Sequence, residues 1–145
     1  MAKDKVQYWL DIVTDDLDTA EYLFKGGKWL YTAFMCHQVI EKTLKAYWCA
    51  TQDDDPPYTH NHKRLAEGCG LYQRMSVEQR DFVETITNYN IEARYPEDRV
   101  ELAQTLTPQA CRAFIDETKL LQQWIKDELS AETKPSNSSD ATRKS

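Results

Sequence analysis

The chain is short of glycine, carries no paired cysteines and has no long apolar run, and each shortage removes a class of function. With only Gly26, Gly27, Gly68 and Gly70 in 145 residues, no glycine-rich phosphate loop can be drawn. Cys36, Cys49, Cys69 and Cys111 stand singly on helical patterns, so neither a zinc ribbon nor a redox pair is indicated. They read as reduced thiols of a cytoplasmic protein. No apolar stretch approaches the roughly 20 residues of a membrane span, and the N-terminus runs into an amphipathic helix rather than a signal core, so no membrane partner is expected. Positive charge is also scarce: 18 basic against 24 acidic residues leave a net charge of -6, which argues against a broadly electropositive nucleic-acid surface. Finally, no segment alternates with period two for long enough to make a strand.

What remains is helical periodicity. Val6, Trp9, Ile12, Val13, Ala20, Leu23 and Phe24 fall on one face of a helix from about Lys5 to Lys25, stopped by Gly26-Gly27. A second helix, from about Lys28 to Ala50, is apolar on more than one side. Leu30, Phe34, Ile40, Leu44, Tyr47 and Trp48 share a broad face, while Tyr31, Met35, Val39, Ala46 and Cys49 cover much of the opposite one. Asp53 to Pro57 breaks the chain as a solvated loop. A short helix follows from Lys63 to about Gly70. Ser76-x-x-Gln79 is a capping box opening a fourth helix, with Phe82, Ile86, Tyr89 and Ala93 inward and Pro96 ending it at Arg94-Tyr95. Pro96 to Leu106 reads as irregular. Thr107-Pro108 opens a last helix to about Leu129, burying Cys111, Phe114, Thr118, Leu121, Ile125 and Leu129. The expected fold is all-α: an up-down antiparallel bundle of four long helices and one short one over residues 1–130, then a disordered polar tail over 131–145.

Three positions interrupt the apolar stripes. Asp16 lies mid-stripe on the first helix, and His37 and Glu41 lie one turn apart mid-stripe on the second, with Lys45 a turn further on. Arg94 stands where the fourth helix stops. Two acids, an imidazole and a guanidinium can thus meet, with Arg94 paired to Asp16 or Glu41 and Lys45 left to meet an incoming phosphate. The plainer reading is a buried polar tie that only specifies packing. His60-x-His62 is half a metal site at most and fits a helix N-terminus better, so no metal is expected. A di-iron centre needs Glu-x-x-His pairs, and His37, His60 and His62 all lack an acid three residues before them. No serine or cysteine has an activating base, and no cofactor is indicated.

The run from Cys36 to Ala46 (Cys-His-Gln-Val-Ile-Glu-Lys-Thr-Leu-Lys-Ala), Thr59-His60, Asp16-Leu17, and Ile91 to Pro96 (Ile-Glu-Ala-Arg-Tyr-Pro) together resemble the HEPN domain, the nucleotide-binding domain of higher eukaryotes and prokaryotes. The resemblance spans about Gln7 to Leu129. It implies a helical bundle, dimeric as a rule, encoded beside a minimal nucleotidyltransferase partner in toxin-antitoxin-like pairs, with nucleotide bound at Asp16, His37, Glu41, Lys45, Arg94 and Tyr95. Many relatives are ribonucleases with an arginine followed four to six residues later by a histidine. Here the first arginine is Arg64 and the last histidine is His62, so that motif is absent. Three functions follow as expectations. The first is a non-catalytic, homodimeric module binding a nucleotide or a nucleotidyltransferase. The second is a ribonuclease toxin with a rearranged His37 and Arg94, and the third a purely structural interaction domain.

Overall fold

In a computed structural model, residues 2–142 are described, with side chains for 3–132. Among them there are six α-helices and no strand: α1 (Ala2–Lys25), α2 (Trp29–Thr51), α3 (His62–Gly68), α4 (Val77–Thr87), α5 (Pro96–Ala103) and α6 (Pro108–Thr142). The fold is all-α, as the periodicity requires.

The order follows from α2. Its three-residue connection to α1 makes a hairpin, closed by Gly27 at a φ of 73°, a conformation side-chain-bearing residues rarely adopt. Because α2 is apolar around most of its circumference, α1, α3, α4 and α6 all lie against it. Ile40, Leu44 and Tyr47 are sealed from solvent and Trp48 nearly so, whereas Phe34 is only half-buried. The opposite face is covered within the chain: Val39, Ala46 and Cys49 are buried, with α6 contributing Cys111, Ile115, Leu121 and Ile125 to the same core. A charged clamp ties α6 to α1. Arg112 donates through both terminal nitrogens to the Glu21 carboxylate at 3.1 and 3.0 Å, and Lys119 adds a third contact. These bonds, Arg112's first, pull the Glu21 carboxyl down to about 2.

The caps of α4 and α6 are those the sequence spells, and α3, which starts at His62, adds one at Asn61. Ser76 and Gln79 form the reciprocal capping box of α4, Asn61 accepts from the Arg64 amide at the start of α3, and Thr107 caps α6 through the Ala110 amide.

Two expectations fail between residues 88 and 106. Helix α4 does not reach Arg94: it stops at Thr87, because Asn88 and Tyr89 take three-residue backbone bonds that tighten its last turn. Asn90 interrupts the pattern, and a single 3-10 turn over Ile91–Ala93 follows. Ala93, expected inward, is exposed. Pro96 does not close a helix but opens one, standing at the first position of α5, where its missing N–H is no loss and its fixed φ is already helical. Glu97 and Asp98 in that first turn add favourable charge. The segment read as irregular is therefore mostly helix. Helix α6 continues past Leu129, and the expected disordered tail falls chiefly on residues 133–145, outside those whose side chains are described.

Two substitutions test the central packing. Leu44→Ala should cost about 2–5 kcal/mol in denaturant unfolding, the range for emptying an enclosed site. Gly68→Ala is the sharper case, since alanine ordinarily favours helix over glycine by roughly 1 kcal/mol. Here the added Cβ would clash with Trp48 Cζ3 and come within 2.7 Å of Cη2, and an overpacked core loses about 1–3 kcal/mol. The variant should therefore be less stable than the parent; a gain in stability would mean that Trp48 does not lie over Gly68.

Candidate functional site

Glu41 stands at the centre of a buried polar cluster. The helical spacing puts His37, Glu41 and Lys45 in one row on α2. Lys45 Nζ donates to Glu41 Oε2 at 2.9 Å. His60, on the segment leading into α3, meets Glu41 Oε1 through Nδ1 at 2.8 Å, while His37 Nε2 lies 3.6 Å from the same oxygen, too far for a hydrogen bond. Glu41 and Lys45 are almost enclosed and His60 is half-exposed. Burial pushes the Glu41 carboxyl up, but the hydrogen bonds from Lys45 and His60 outweigh it and hold the group below its ordinary value. It is thus an ionised carboxylate in a nearly dry position, kept so by two donors.

The two histidines behind it are neutral. Burial, reinforced by the neighbouring histidines, pushes His37 down to about 2. Burial likewise takes His62, the first residue of α3, down to about 4. His62 Nε2 lies 2.9 Å from the His37 carbonyl, which can only accept, so Nε2 carries the hydrogen. Nδ1 then faces Thr87 Oγ1 at 2.7 Å, whose single hydrogen is shared between Nδ1 and the Val83 carbonyl at 2.9 Å. His37 is less well served. Its ring stacks beside Phe34 and meets His62 edge-on at 4.5 Å between centroids. Neither ring nitrogen makes a hydrogen bond of good geometry, the Ile86 backbone offering only weak support.

Two concavities flank the cluster. On one side is an apolar groove of about 470 Å³ walled by Tyr8, Trp9, Pro57 and Tyr58, with Lys5 and Lys45 in its lining. Lys45 Nζ lies 5.3 Å from the Trp9 ring centroid, a cation over an aromatic face. On the other side His60 lines a second pocket of about 360 Å³ together with Asn61, Asn90, Arg94 and Tyr95. His60 therefore belongs both to the buried cluster and to the open pocket.

The six residues singled out from the sequence divide three ways. His37, Glu41 and Lys45 come together as the helical row dictates. Arg94 and Tyr95 lie outside that row and line the pocket onto which His60 opens. Arg94 donates from Nε and Nη2 to the Asn88 carbonyl at 3.2 and 2.9 Å, and among the described residues it forms no ion pair with Asp16 or Glu41. Asp16 pairs with Lys42 at 3.2 Å instead; burial raises its carboxyl, which Lys42 only partly offsets. Sequence spacing missed His60 as the partner of Glu41, because the connection between them passes through the proline loop and carries no period. It also missed Trp9, which looks like any other stripe residue until Lys45 is found above it.

The sequence model of the HEPN domain matches residues 6–129, and the chain belongs to that family. Membership makes it a helical module of the nucleotide-related or ribonuclease type. Comparison with curated proteins found no match, and comparison with solved structures found none. Among the described residues no helix is long and apolar enough to cross a membrane.

The depressed histidines make stability depend on pH with a definite sign. Unfolded histidine titrates near 6.5 and these two far lower, so below pH 6.5 the unfolded chain binds more protons than the folded one. Stability should be intact above pH 6.5 and fall as pH drops from there towards 4.5, still above the ordinary carboxylate range. Each histidine contributes a slope approaching about 1.4 kcal/mol per pH unit. Urea midpoints at pH 7.5, 6.0 and 5.0 read this directly, and His62→Gln should flatten the dependence; a profile already flat in the parent would show that these histidines are not buried neutral.

Proposed function

We propose that this is a HEPN-type binding module that takes a nucleotide in the aromatic groove, the base against Tyr8, Trp9 and Tyr58 and the phosphate towards Lys45. One observation carries the reading: Lys45 is shared by the groove and by the buried cluster, so a charged end and a stacking end lie in one concavity. Stacking on an aromatic side chain is worth about 1–3 kcal/mol per base. Lys45 is held by a single carboxylate oxygen, and its remaining N–H bonds are available to an anion. Tyr58 is exposed almost completely, which suits a ring waiting for a partner and serves no packing purpose.

A second reading draws on His60. Its Nδ1 is spoken for by Glu41, leaving Nε2 as the available nitrogen of an imidazole that shares a pocket with Arg94. An oriented imidazole beside a guanidinium is acid-base equipment for a phosphodiester, in the order His-then-Arg. His37, the residue first considered for this role, is sealed from solvent and cannot touch a substrate. A partner nucleotidyltransferase and a homodimer belong to the same proposal. The dimer now rests on Tyr22 and Tyr31, which stay exposed, because α6 already covers the second face of α2.

Thermal shift of the purified protein against nucleoside mono-, di- and triphosphates is the direct test. A nucleotide at 100 times its dissociation constant stabilises by about 2.7 kcal/mol, a rise of several degrees. Tyr58→Ala should abolish that rise while leaving the unliganded melting temperature unchanged, and Lys45→Ala should weaken it. No shift with any nucleotide would reduce the cluster to a structural tie. For the second reading, RNA should stay intact with the purified protein alone; cleavage lost in both His60→Ala and Arg94→Ala would establish it as an enzyme. Sedimentation at micromolar concentration should exceed the 16.9 kDa of one chain.

A further inference from the structure

His37 is the anomaly of the cluster. It is wholly enclosed, it sits among aromatic rings, and its ring nitrogens have no proper partner, although an unmet buried polar group ordinarily costs about 1–3 kcal/mol. Its Nε2 lies 3.6 Å from Glu41 Oε1, and that oxygen already faces His60 Nδ1 at 2.8 Å. One nitrogen of each histidine and one oxygen of Glu41 therefore lie within 4.8 Å of one another.

We propose that His37, Glu41 and His60 form a three-ligand site for a divalent transition-metal ion, zinc foremost, with a further coordination position left open. The donor chemistry selects the ion. Two imidazoles and one carboxylate suit zinc and its first-row neighbours, whereas calcium and magnesium want oxygen alone. Two histidines with one glutamate are a three-ligand set of the kind found in zinc sites that keep an exchangeable position. Ligand bonds of about 2.0–2.2 Å need donors a little over 3 Å apart, so His37 is already at the right separation from Glu41, while His60 must draw back from Glu41 and turn towards His37, the three donor atoms now lying within 4.8 Å of one another. His60 is the member with room to turn, half-exposed on the segment before α3, whereas His37 and Glu41 are enclosed on α2. Lys45 keeps Glu41 Oε2, which fixes the carboxylate as a one-oxygen ligand through Oε1; such outer partners orient metal ligands. Binding replaces the hydrogen between His60 Nδ1 and Glu41 Oε1, and in the neutral ring that hydrogen moves to Nε2. A divalent ion and the Lys45 ammonium then face one carboxylate. The excess positive charge draws an anion, hydroxide or a phosphate oxygen, to the open position. The inference stands apart from nucleotide binding, because the three ligands need no nucleotide.

The test is titration of the reduced full-length protein with zinc by calorimetry, and with cobalt(II) by visible absorption, both without nucleotide. One ion per chain is expected, with cobalt bands of nitrogen and oxygen ligation and no intense thiolate band near the ultraviolet. His60→Ala and Glu41→Gln should each weaken binding tenfold or more. Because His60 is half-exposed, its variant should melt with the parent in the absence of metal, so loss of the ion is not loss of the fold. Asp53→Asn with Asp54→Asn, in the acidic loop, should bind as the parent does. Absence of zinc binding at micromolar concentration would overturn the proposal, as would a thiolate band or equal affinity in His60→Ala. A nucleotide-induced melting shift that persists under any of those results leaves the nucleotide reading standing and removes only the metal.

Discussion

A carboxylate enclosed at the middle of α2 sets the terms for everything around it. Ionised Glu41 is tolerable there only because two donors reach it, Lys45 from its own helix and His60 from outside. Removing Lys45 would strand a buried charge, a loss of the order of 3–5 kcal/mol in other proteins, whereas removing half-exposed His60 lets water reach Glu41 in its place. Lys45 must therefore stay nearly buried rather than extend into water. The chain between α2 and α3 must return far enough to deliver His60. Trp9 of α1 closes over the lysine from the other side. The hairpin of α1 and α2, the return loop and the start of α3 are thus held in mutual register by one charged group.

Around that centre the packing is of the ordinary kind. An α2 helix apolar on nearly all sides needs cover on all sides, and α1, α6 and the α3–α4 pair supply it. The second apolar face of α2, which from sequence alone asks for cover by other helices or by another copy of the chain, is covered by α6. Association of copies then depends on what α1 and the start of α2 leave exposed. This is why burial inside one chain and self-association cannot be separated from a hydrophobic pattern: the pattern states that a face must be covered, not by whom.

The parts of the fold legible in the sequence are those governed by short-range rules. The α1–α2 hairpin followed from a 3.6-residue period ended by two glycines, and the α4 capping box and the α6 cap from residues three apart. The region between α4 and α6 was misread, because Pro96 is compatible with a helix end and a helix start alike. Only the Asn88 to Asn90 turn, whose tightening depends on tertiary packing, decides between them. The site shows the same division. The His37, Glu41 and Lys45 row is a consequence of helix geometry alone. His60, Trp9 and the separation of Asp16 from Glu41 depend on how helices rotate against one another, which no single-helix period contains.

The loop after α2 carries a consequence of its own. Trp48 donates its indole hydrogen to the Asp54 carbonyl at 3.0 Å, and Lys5 holds Asp55 at 2.6 Å, so the acidic, proline-containing turn is pinned at both sides rather than left to drift. The five residues after that anchor include Tyr58, which walls the groove, and His60, which completes the buried cluster. Both are therefore hung from the same short span, and the two prolines before them limit how that span can bend. An inserted or deleted residue between Asp55 and His60 would displace a groove wall and a Glu41 donor at once. Loops ordinarily tolerate length variation well; in this one, length is as tightly constrained as the identity of a core residue.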